Sequence, residues 1–203
     1  MSRTKKRIVQ KLLCLCLVIS LLTGTTAFAK SNGYKWKDTP VVYFDKSVLG
    51  GMDQSRINCI QRAMSTWNSV TYNGDPMITL NFKSSVPNTI REKYVIADWV
   101  GYSYIYPIYE SPPPNTVINH VDIELNVYHS LTDGASSGSY DVQSVIQHEL
   151  GHALGIAHCH ENGETPCSST CYKNTMHWQS VPNSVEKRYL KTYDTSSKFS
   201  IYL

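Results

Sequence analysis

The chain of 203 residues has a formal charge of +3, with 19 Lys and Arg against 16 Asp and Glu, and it is 17% charged and 41% hydrophobic. This balance excludes a disordered polyelectrolyte and the strongly basic surface of a nucleic-acid-binding protein. The length suits one compact domain. The positive charge is also local, because residues 1–29 hold five basic residues and no acid, which leaves 14 basic and 16 acidic residues in 30–203. Charge therefore gives no reason to expect nucleic acid or an anionic membrane as a partner.

Residues 1–29 have the three parts of a secretory signal peptide. A basic stretch that ends at Lys11 precedes the apolar run Leu12 to Leu22, and small residues stand at the cleavage positions before and at Ala29. A retained membrane anchor is the alternative, but eleven apolar residues are fewer than the roughly 18 that span a bilayer. We therefore predict a signal peptide over 1–29 and one domain over 30–203, secreted to the extracellular space as a monomer without stable membrane anchoring.

Four segments of the domain have the patterns of β-strands: Val41 to Phe44, Met77 to Phe82, Tyr94 to Trp99 and Val121 to Val127. The last alternates strictly between apolar and polar residues, which is typical of an edge or half-exposed strand. The tyrosine-rich segment Tyr102 to Tyr109 lies before it. A strand or loop that covers the sheet is the favoured interpretation of this segment, and an aromatic lip over a binding cleft is the alternative.

Three segments have helical patterns. Asp53 caps a predicted helix that ends near Gly74, Asp141 caps a second one, and Asn183 to Tyr193 fits a last helix. Asp133 and Asp141 are also candidate calcium ligands, since both flank a Ser- and Gly-rich loop. The spacing of an EF-hand loop is absent, however, and Asp141 is better explained as a helix cap.

The second predicted helix contains the side chains from which chemistry can be inferred. His148 and His152 are four residues apart, so their imidazoles stack on one helix face. Two ligands alone make a weak metal site. Gly155 can adopt a positive φ and end the helix, so that His158 swings back toward the same metal ion. Three neutral imidazoles leave a fourth position to water, which is typical of a catalytic zinc site.

Glu149 follows His148 directly and lies about 100° further round the helix. Its carboxylate can therefore approach a metal-bound water without ligating the ion. Zinc lowers the pKa of such a water toward about 7, and a carboxylate can act as the general base. A chance H-E-x-x-H on an amphipathic helix is the alternative, but Gly155 and His158 at the added spacings make it far less plausible. The sequence thus predicts a metal site with Glu149 as its catalytic residue.

The stretch from His148 to His158 resembles the metzincin metallopeptidases, whose H-E-x-x-H-x-x-G-x-x-H signature it matches at every defined position. Metzincins place a methionine turn under the zinc, and Met176 follows His158 by 18 residues. The run Val145-Ile146-Gln147 and the small domain are most similar to a bacterial matrixin-type catalytic domain. The resemblance implies an α+β zincin fold. Its parts would be a twisted mixed sheet, an early helix, the active-site helix and a small C-terminal subdomain that ends in a helix.

The resemblance also implies a function, namely a zinc-dependent endopeptidase with one catalytic zinc ion that acts on proteins or peptides. Substrate is expected to lie along the strand Val121 to Val127. Trp178 stands where some metzincins place a tyrosine that reaches the zinc, and an indole nitrogen is no ligand. A cell-wall peptide hydrolase and a catalytically silent binding module are the alternatives, although Glu149 argues against the silent module.

Four cysteines remain after the predicted cleavage: Cys59, Cys159, Cys167 and Cys171. An even number in an oxidising compartment favours disulfides, and three pairings are possible. The last three cluster just after the predicted metal ligands. With His160 they could form a small structural zinc site, but a disulfide between Cys159 and Cys171 is the favoured interpretation. A bridge to Cys59 would instead tie the first helix to the site.

Overall fold

The computed structural model describes residues 30–108, 116–161, 164 and 168–203, so the predicted signal peptide, Tyr109 and Cys167 lie outside the described residues. The domain is α+β, as predicted. Its elements, in chain order, are β1 (Tyr34–Lys35), β2 (Val41–Asp45), α1 (Gln54–Asn68), β3 (Thr79–Lys83), β4 (Thr89–Lys93), β5 (Gly101–Pro107), β6 (Thr116–Asn126), β7 (Leu131–Thr132), β8 (Tyr140–Asp141), α2 (Val142–Ala153) and α3 (Thr192–Tyr202). Within these ranges no helix has the length and apolar character needed to cross a membrane.

The sheet is mixed and is built around the longest strand, β6. β4 runs parallel to β6 with Ile90 opposite Ile123, and β5 runs antiparallel on the other side with Ser103 opposite Ile123. β1 pairs in parallel with the start of β6, and β2 pairs in parallel with β3. A parallel bridge between Phe44 and Asn88 connects β2 to the start of β4. The strands therefore lie side by side in the order β3-β2-β4-β6-β5.

The alternating segment Val121 to Val127 is not the predicted edge strand, because β6 has neighbours on both sides. The central residue of its polar face, Glu124, is covered by charged side chains rather than by water. Glu124 is only 1% exposed, and it lies 2.8 Å from Arg91 Nη2 and 3.0 Å from Lys93 Nζ. The polar positions of this alternating pattern therefore do not mark a solvent-exposed face, because the charge of Glu124 is neutralised by the cationic side chains of β4. The edge strand is β5, and no strand in the described ranges pairs with its other side.

The prediction of a strand over Tyr94 to Trp99 is wrong, since these residues form the loop between β4 and β5. Tyr94 and Ile96 are 66% and 78% exposed, so their apolar character does not report burial. The strand of this region is β4, whose last three residues are charged. The predicted strands over Val41 to Phe44 and Met77 to Phe82 correspond to β2 and β3.

Helices α1 and α2 begin at the predicted caps. The carboxylate of Asp53 accepts from the backbone N–H two residues on, and that of Asp141 accepts from the N–H three residues on. α1 ends at Asn68, earlier than predicted. The expected stop at Asn73-Gly74 is a separate turn, in which both residues have positive φ.

The last helix lies later in the chain than predicted. Residues 183–193 contain a short 3-10 turn and a positive φ of 61° at Asn183, and α3 starts only at Thr192. Its Ser- and Thr-rich sequence has modest helix propensity. Tyr193 and Lys198 are nevertheless almost completely buried. Tertiary packing therefore decides where this helix forms.

The core lies between the sheet and the two longer helices. Trp67 of α1 is fully buried and donates its indole N–H to the Gln147 carbonyl of α2, at 2.8 Å. Ile146 and Leu150 of α2 are fully buried, as is Ile123 of β6. Such packing stabilises the fold through apolar burial and fixes the rotation of α2. This rotation fixes the direction in which the polar side chains of α2, including His148 and His152, point.

Candidate metal centre

The structure brings the three predicted ligands together in a group that could hold a metal ion. Nε2 of His152 lies 3.2 Å from Nε2 of His148 and 3.0 Å from Nε2 of His158, and the third side of this triangle is 3.2 Å. Two of the imidazoles stand one turn apart on α2. The third arrives after the chain reverses at Gly155, which has a φ of 82°, as the sequence predicted.

The hydrogen bonds of the imidazoles show which nitrogens face the centre. Each Nδ1 contacts an oxygen that can only accept: His148 the Thr175 carbonyl (2.7 Å), His152 the Ile156 carbonyl (2.8 Å) and His158 the Glu161 carboxylate (3.0 Å). These acceptors place the proton on each Nδ1 and leave a lone pair on each Nε2; at His148 the 2.7 Å contact to the Thr175 carbonyl is shorter than the 3.3 Å contact to Lys187 Nζ. Three lone pairs that converge at about 3 Å repel one another. A cation bound among them would instead attract all three lone pairs.

Burial keeps these imidazoles neutral, which is the form that ligates metals. Burial lowers the pKa of His152 to about 3 and that of His148 well below its ordinary value, and nearby positive charge adds to both shifts. For His148 the added charge is the buried ammonium of Lys187, whose Nζ lies 3.3 Å from Nδ1. Burial also lowers the pKa of His158, although the Glu161 carboxylate opposes the shift.

Glu149 is a buried carboxylate beside the histidines. Ser103 of β5 donates its hydroxyl to Glu149 Oε2 at 2.8 Å. Burial raises the pKa of Glu149 to about 7, and the bond from Ser103 opposes that rise. Gly101 makes room for this carboxylate, since a Cβ at Gly101 would stand 2.8 Å from Glu149 Oε1 and 2.6 Å from Val145 Cγ1. Glu149 can therefore exchange a proton near neutral pH.

Met176 packs beneath α2. It is completely buried, and a Cβ at Gly151 would collide with its sulfur atom. Its carbonyl accepts from the backbone N–H of Cys159, the residue after the third histidine, at 2.8 Å. The turn that carries Met176 thus contacts both the helix and the loop that supply the three imidazoles.

The methionine turn is fixed by a residue that sequence reasoning missed, Asp194 of α3. Its carboxylate accepts from the backbone N–H groups of Thr175 and Met176, each at 3.0 Å, and of Lys191 at 2.7 Å. Burial raises the pKa of Asp194, and these three donors oppose the rise. No local signal marks the residue, because its partners in the methionine turn lie almost twenty positions away.

The start of the domain also belongs to the site, which the sequence did not indicate. The Asn32 backbone N–H donates to the Gly155 carbonyl at 2.9 Å, and the Asn32 amide donates to the His152 carbonyl at 3.3 Å. A Cβ at Gly155 would collide with the Tyr34 carbonyl oxygen. Gly155 is therefore required both by its positive φ and by this close approach.

A cavity of about 700 Å³ lies beside the three histidines and Glu149. The triad and Glu149 line it together with Tyr34, Gly101, Tyr102, Ser103, Ile105, Tyr140 and Trp178. The described part of the tyrosine-rich segment is therefore a strand, as one form of the favoured interpretation had it, but it belongs to the sheet rather than covering it, and it borders the cleft, as the alternative stated. Trp178 faces the cavity but offers no metal-ligating atom.

The predicted calcium ligands form an ion-pair network instead. Asp133 Oδ1 lies 2.7 Å from Arg62 Nη2 and 2.9 Å from Arg188 Nη2. Asp141 pairs with Arg188 as well and caps α2. Because two guanidinium groups already neutralise these carboxylates, the calcium site allowed by the sequence is not formed here.

The described residues do not show the disulfides expected from the sequence. Cys59 is buried on α1 without a bridge to another described cysteine, and Arg62 Nη2 lies 3.1 Å from its sulfur. Burial raises the pKa of the Cys59 thiol to about 11. Between Cys159 and Cys171 the structure places Nδ1 of His160 in contact with both sulfur atoms, rather than the bridge that was favoured.

No protein-family model matches this chain, and no curated protein matches its sequence. The histidine triad, Glu149 and the edge strand β5 are therefore the features from which a function can be inferred.

Proposed function

We propose that the protein is a secreted, zinc-dependent endopeptidase of the metzincin type. His148, His152 and His158 hold the zinc ion, and Glu149 is the general base. The observation that carries the proposal is the meeting of three imidazole lone pairs and one buried carboxylate in a single cleft beside a sheet edge.

The size of the histidine triangle fits zinc. Zn–N bonds of about 2.0–2.1 Å at tetrahedral angles place the nitrogens about 3.4 Å apart. The Nε2 atoms are 3.0 to 3.2 Å apart. A small outward movement suffices to seat the ion. The oxygen acceptor on each Nδ1 fixes the ring orientation, as second partners of zinc-bound histidines do. Three protein ligands leave one coordination position for chemistry.

The protein's own groups can move the protons of peptide hydrolysis. A bound zinc ion supplies Lewis acidity, which acidifies water and polarises the scissile carbonyl. Glu149 accepts the proton of the attacking water and donates it to the leaving amine. Its pKa, raised by burial to about 7, suits both steps. Ser103 positions Glu149 through the hydrogen bond to Oε2.

The side of β5 that no described strand pairs with suits an extended peptide substrate. β5 is bonded to β6 along one side and borders the cleft that contains Glu149. A peptide that adds a strand to β5 is held by main-chain hydrogen bonds, and the cleft residues select its side chains. This assignment replaces the expected substrate position along Val121 to Val127, which is enclosed by β4 and β5. Proteins and peptides are thus the proposed substrates.

Two further observations support the metzincin type. Met176 lies under the metal-binding helix, and the mixed sheet places its antiparallel strand β5 at the edge beside that helix. The predicted signal peptide supports secretion.

The proposal is tested by incubating the zinc-loaded protein with casein and, in parallel, with peptidoglycan. We expect casein to be cleaved at internal bonds, cleavage to stop when a chelator removes zinc, and cleavage to return when zinc is restored. Release of peptides from peptidoglycan with intact casein would identify a cell-wall hydrolase instead. Intact samples of both, with a folded and zinc-loaded protein, would indicate a binding module.

A further inference from the structure

A second cluster of side chains that can ligate a metal begins directly after the third histidine, His158. Cys159, His160 and Cys171 have ligand atoms within 4.8 Å of one another. All three are buried, with exposed fractions of 6%, 7% and 2%. The proposed peptidase mechanism uses none of them.

The distances within this cluster match a metal site. Nδ1 of His160 lies 3.3 Å from Cys159 Sγ and 3.1 Å from Cys171 Sγ. Zn–S bonds of about 2.3 Å and a Zn–N bond of about 2.0–2.1 Å at tetrahedral angles place sulfur and nitrogen about 3.5 Å apart. Both nitrogen–sulfur distances are therefore close to those that one ion would require, and the two sulfurs lie within 4.8 Å of each other.

Both sulfurs of the cluster lie near the same imidazole nitrogen, and Cys159 Sγ also lies 3.9 Å from the Cys171 carbonyl oxygen. Nδ1 of a neutral imidazole offers either one lone pair or one proton, so it can serve a single sulfur partner well. A metal ion engages both sulfurs and the nitrogen at once. The side-chain amide of Asn174 also points its Nδ2 at Cys171 Sγ, at 3.8 Å. An amide donor in that position favours the thiolate, the form that ligates metals.

We propose that Cys159, His160 and Cys171 bind a second zinc ion, separate from the ion of the histidine triad. Two thiolates and one imidazole select zinc over magnesium or calcium. The proposal replaces both the disulfide favoured from the sequence and the expectation of a single zinc ion.

The position of this site indicates that the ion would hold two segments of the chain together, with one coordination position left beyond the three named ligands. Cys159 follows His158 directly, and its backbone N–H bonds to the Met176 carbonyl. Cys171 begins a 3-10 turn that leads into the methionine turn. An ion held by Cys159 and Cys171 therefore clamps the two ends of the loop that joins the third histidine to Met176.

Metal content by elemental analysis of the full secreted chain tests the site. We expect about two zinc ions per wild-type chain, about one in Cys171→Ser and about one in His152→Ala. Cys59→Ser is the matched control, because Cys59 is also a buried cysteine but lies on α1, and it should keep both ions. Wild-type protein that binds one zinc ion, all of it lost in His152→Ala, would overturn the proposal.

Cobalt substitution gives a readout that does not depend on folding of a cysteine variant. Thiolate–cobalt bonds absorb in the near ultraviolet through charge transfer, whereas a site of three histidines does not. We expect this band in wild type and in His152→Ala. Its absence from both would contradict the second site, and so would peptide mapping of the isolated wild-type protein that finds Cys159 in a disulfide. Neither readout involves peptidase activity, so failure of the second site is distinguishable from failure of the proposed function.

Discussion

Gly101 shows how closely the proposed general base is surrounded. An added Cβ would stand 2.6 Å from Val145 Cγ1 and 2.8 Å from Glu149 Oε1, closer than real contacts allow. Gly101→Ala should therefore displace the carboxylate and lower kcat by about 10- to 100-fold with zinc content unchanged, because misplaced catalytic groups lose rate steeply. Gly51→Ala is the control, since nothing lies within 4 Å of its added Cβ. Steady-state kinetics on one peptide substrate measures both, and equal rates for Gly101→Ala and wild type would contradict the assignment.

Ser103 lowers the pKa of Glu149 and thereby contributes to the pH dependence of the expected activity. The general base must be ionised, so activity is lost as the pH falls through its pKa. Burial raises this pKa to about 7, the bond from Ser103 opposes the rise, and a bound cation lowers the pKa further. Ser103→Ala removes one lowering contact, so the acid limb of kcat/KM should move to higher pH. Tyr102→Phe, on the same strand, should leave the limb in place. An acid limb that does not move in Ser103→Ala would show that Glu149 is not the titrating base.

For individual residues of the site, the sequence predicted what helix geometry fixes locally. Helical spacing alone predicts the placement of His148, Glu149 and His152, and the turn at Gly155 was predicted from its positive φ, although the close approach of Tyr34 was not. Ser103 and Asp194 were not predictable, because each reaches the site from an element remote in sequence.

Among the elements, α3 holds the methionine turn in place through Asp194. Its buried carboxylate accepts hydrogen bonds from three backbone N–H groups. Asp194→Asn replaces one of the two accepting oxygens with an NH₂ group, which would face a backbone N–H and cannot accept its hydrogen bond. We expect a loss of about 2 kcal/mol or more in the free energy of unfolding. Urea denaturation measures it. Glu186→Gln, an exposed carboxylate in the same segment, should change stability by less than about 0.5 kcal/mol. Equal stabilities of Asp194→Asn and wild type would show that the turn does not depend on this carboxylate.

The wrong predictions for strands and helices share a physical cause. The alternation of β6 suggested an edge, but the polar face of Glu124 is covered by the cations Arg91 and Lys93. The same charges made β4 look unlike a strand. α3 was misplaced because burial of Tyr193 and Lys198, rather than helix propensity, fixes its position. Local patterns report propensity and burial, but they do not report which element supplies the covering surface.

Across the whole molecule, buried polar groups connect the C-terminal part to the rest of the domain. Lys198 of α3 donates to the carbonyls of Trp67 and Val70, at 2.9 and 3.2 Å, where α1 ends. Burial lowers the pKa of Lys198 to about 8. Arg188 reaches from the same part of the chain to Asp141, the cap of α2. The C-terminal part is thus fixed to both long helices, and its Trp178 lines the cleft.

The proposed peptidase function predicts that protein hydrolysis by this domain depends on the carboxylate of Glu149. The measurement that tests it most directly is the rate of casein cleavage by Glu149→Gln, with its zinc content and circular dichroism determined on the same sample. The substituted amide keeps the size of the side chain but cannot accept a proton from water. We predict wild-type metal content and fold with a rate lower by about 100- to 10,000-fold. A folded, zinc-loaded Glu149→Gln that cleaves casein at the wild-type rate would contradict the assignment.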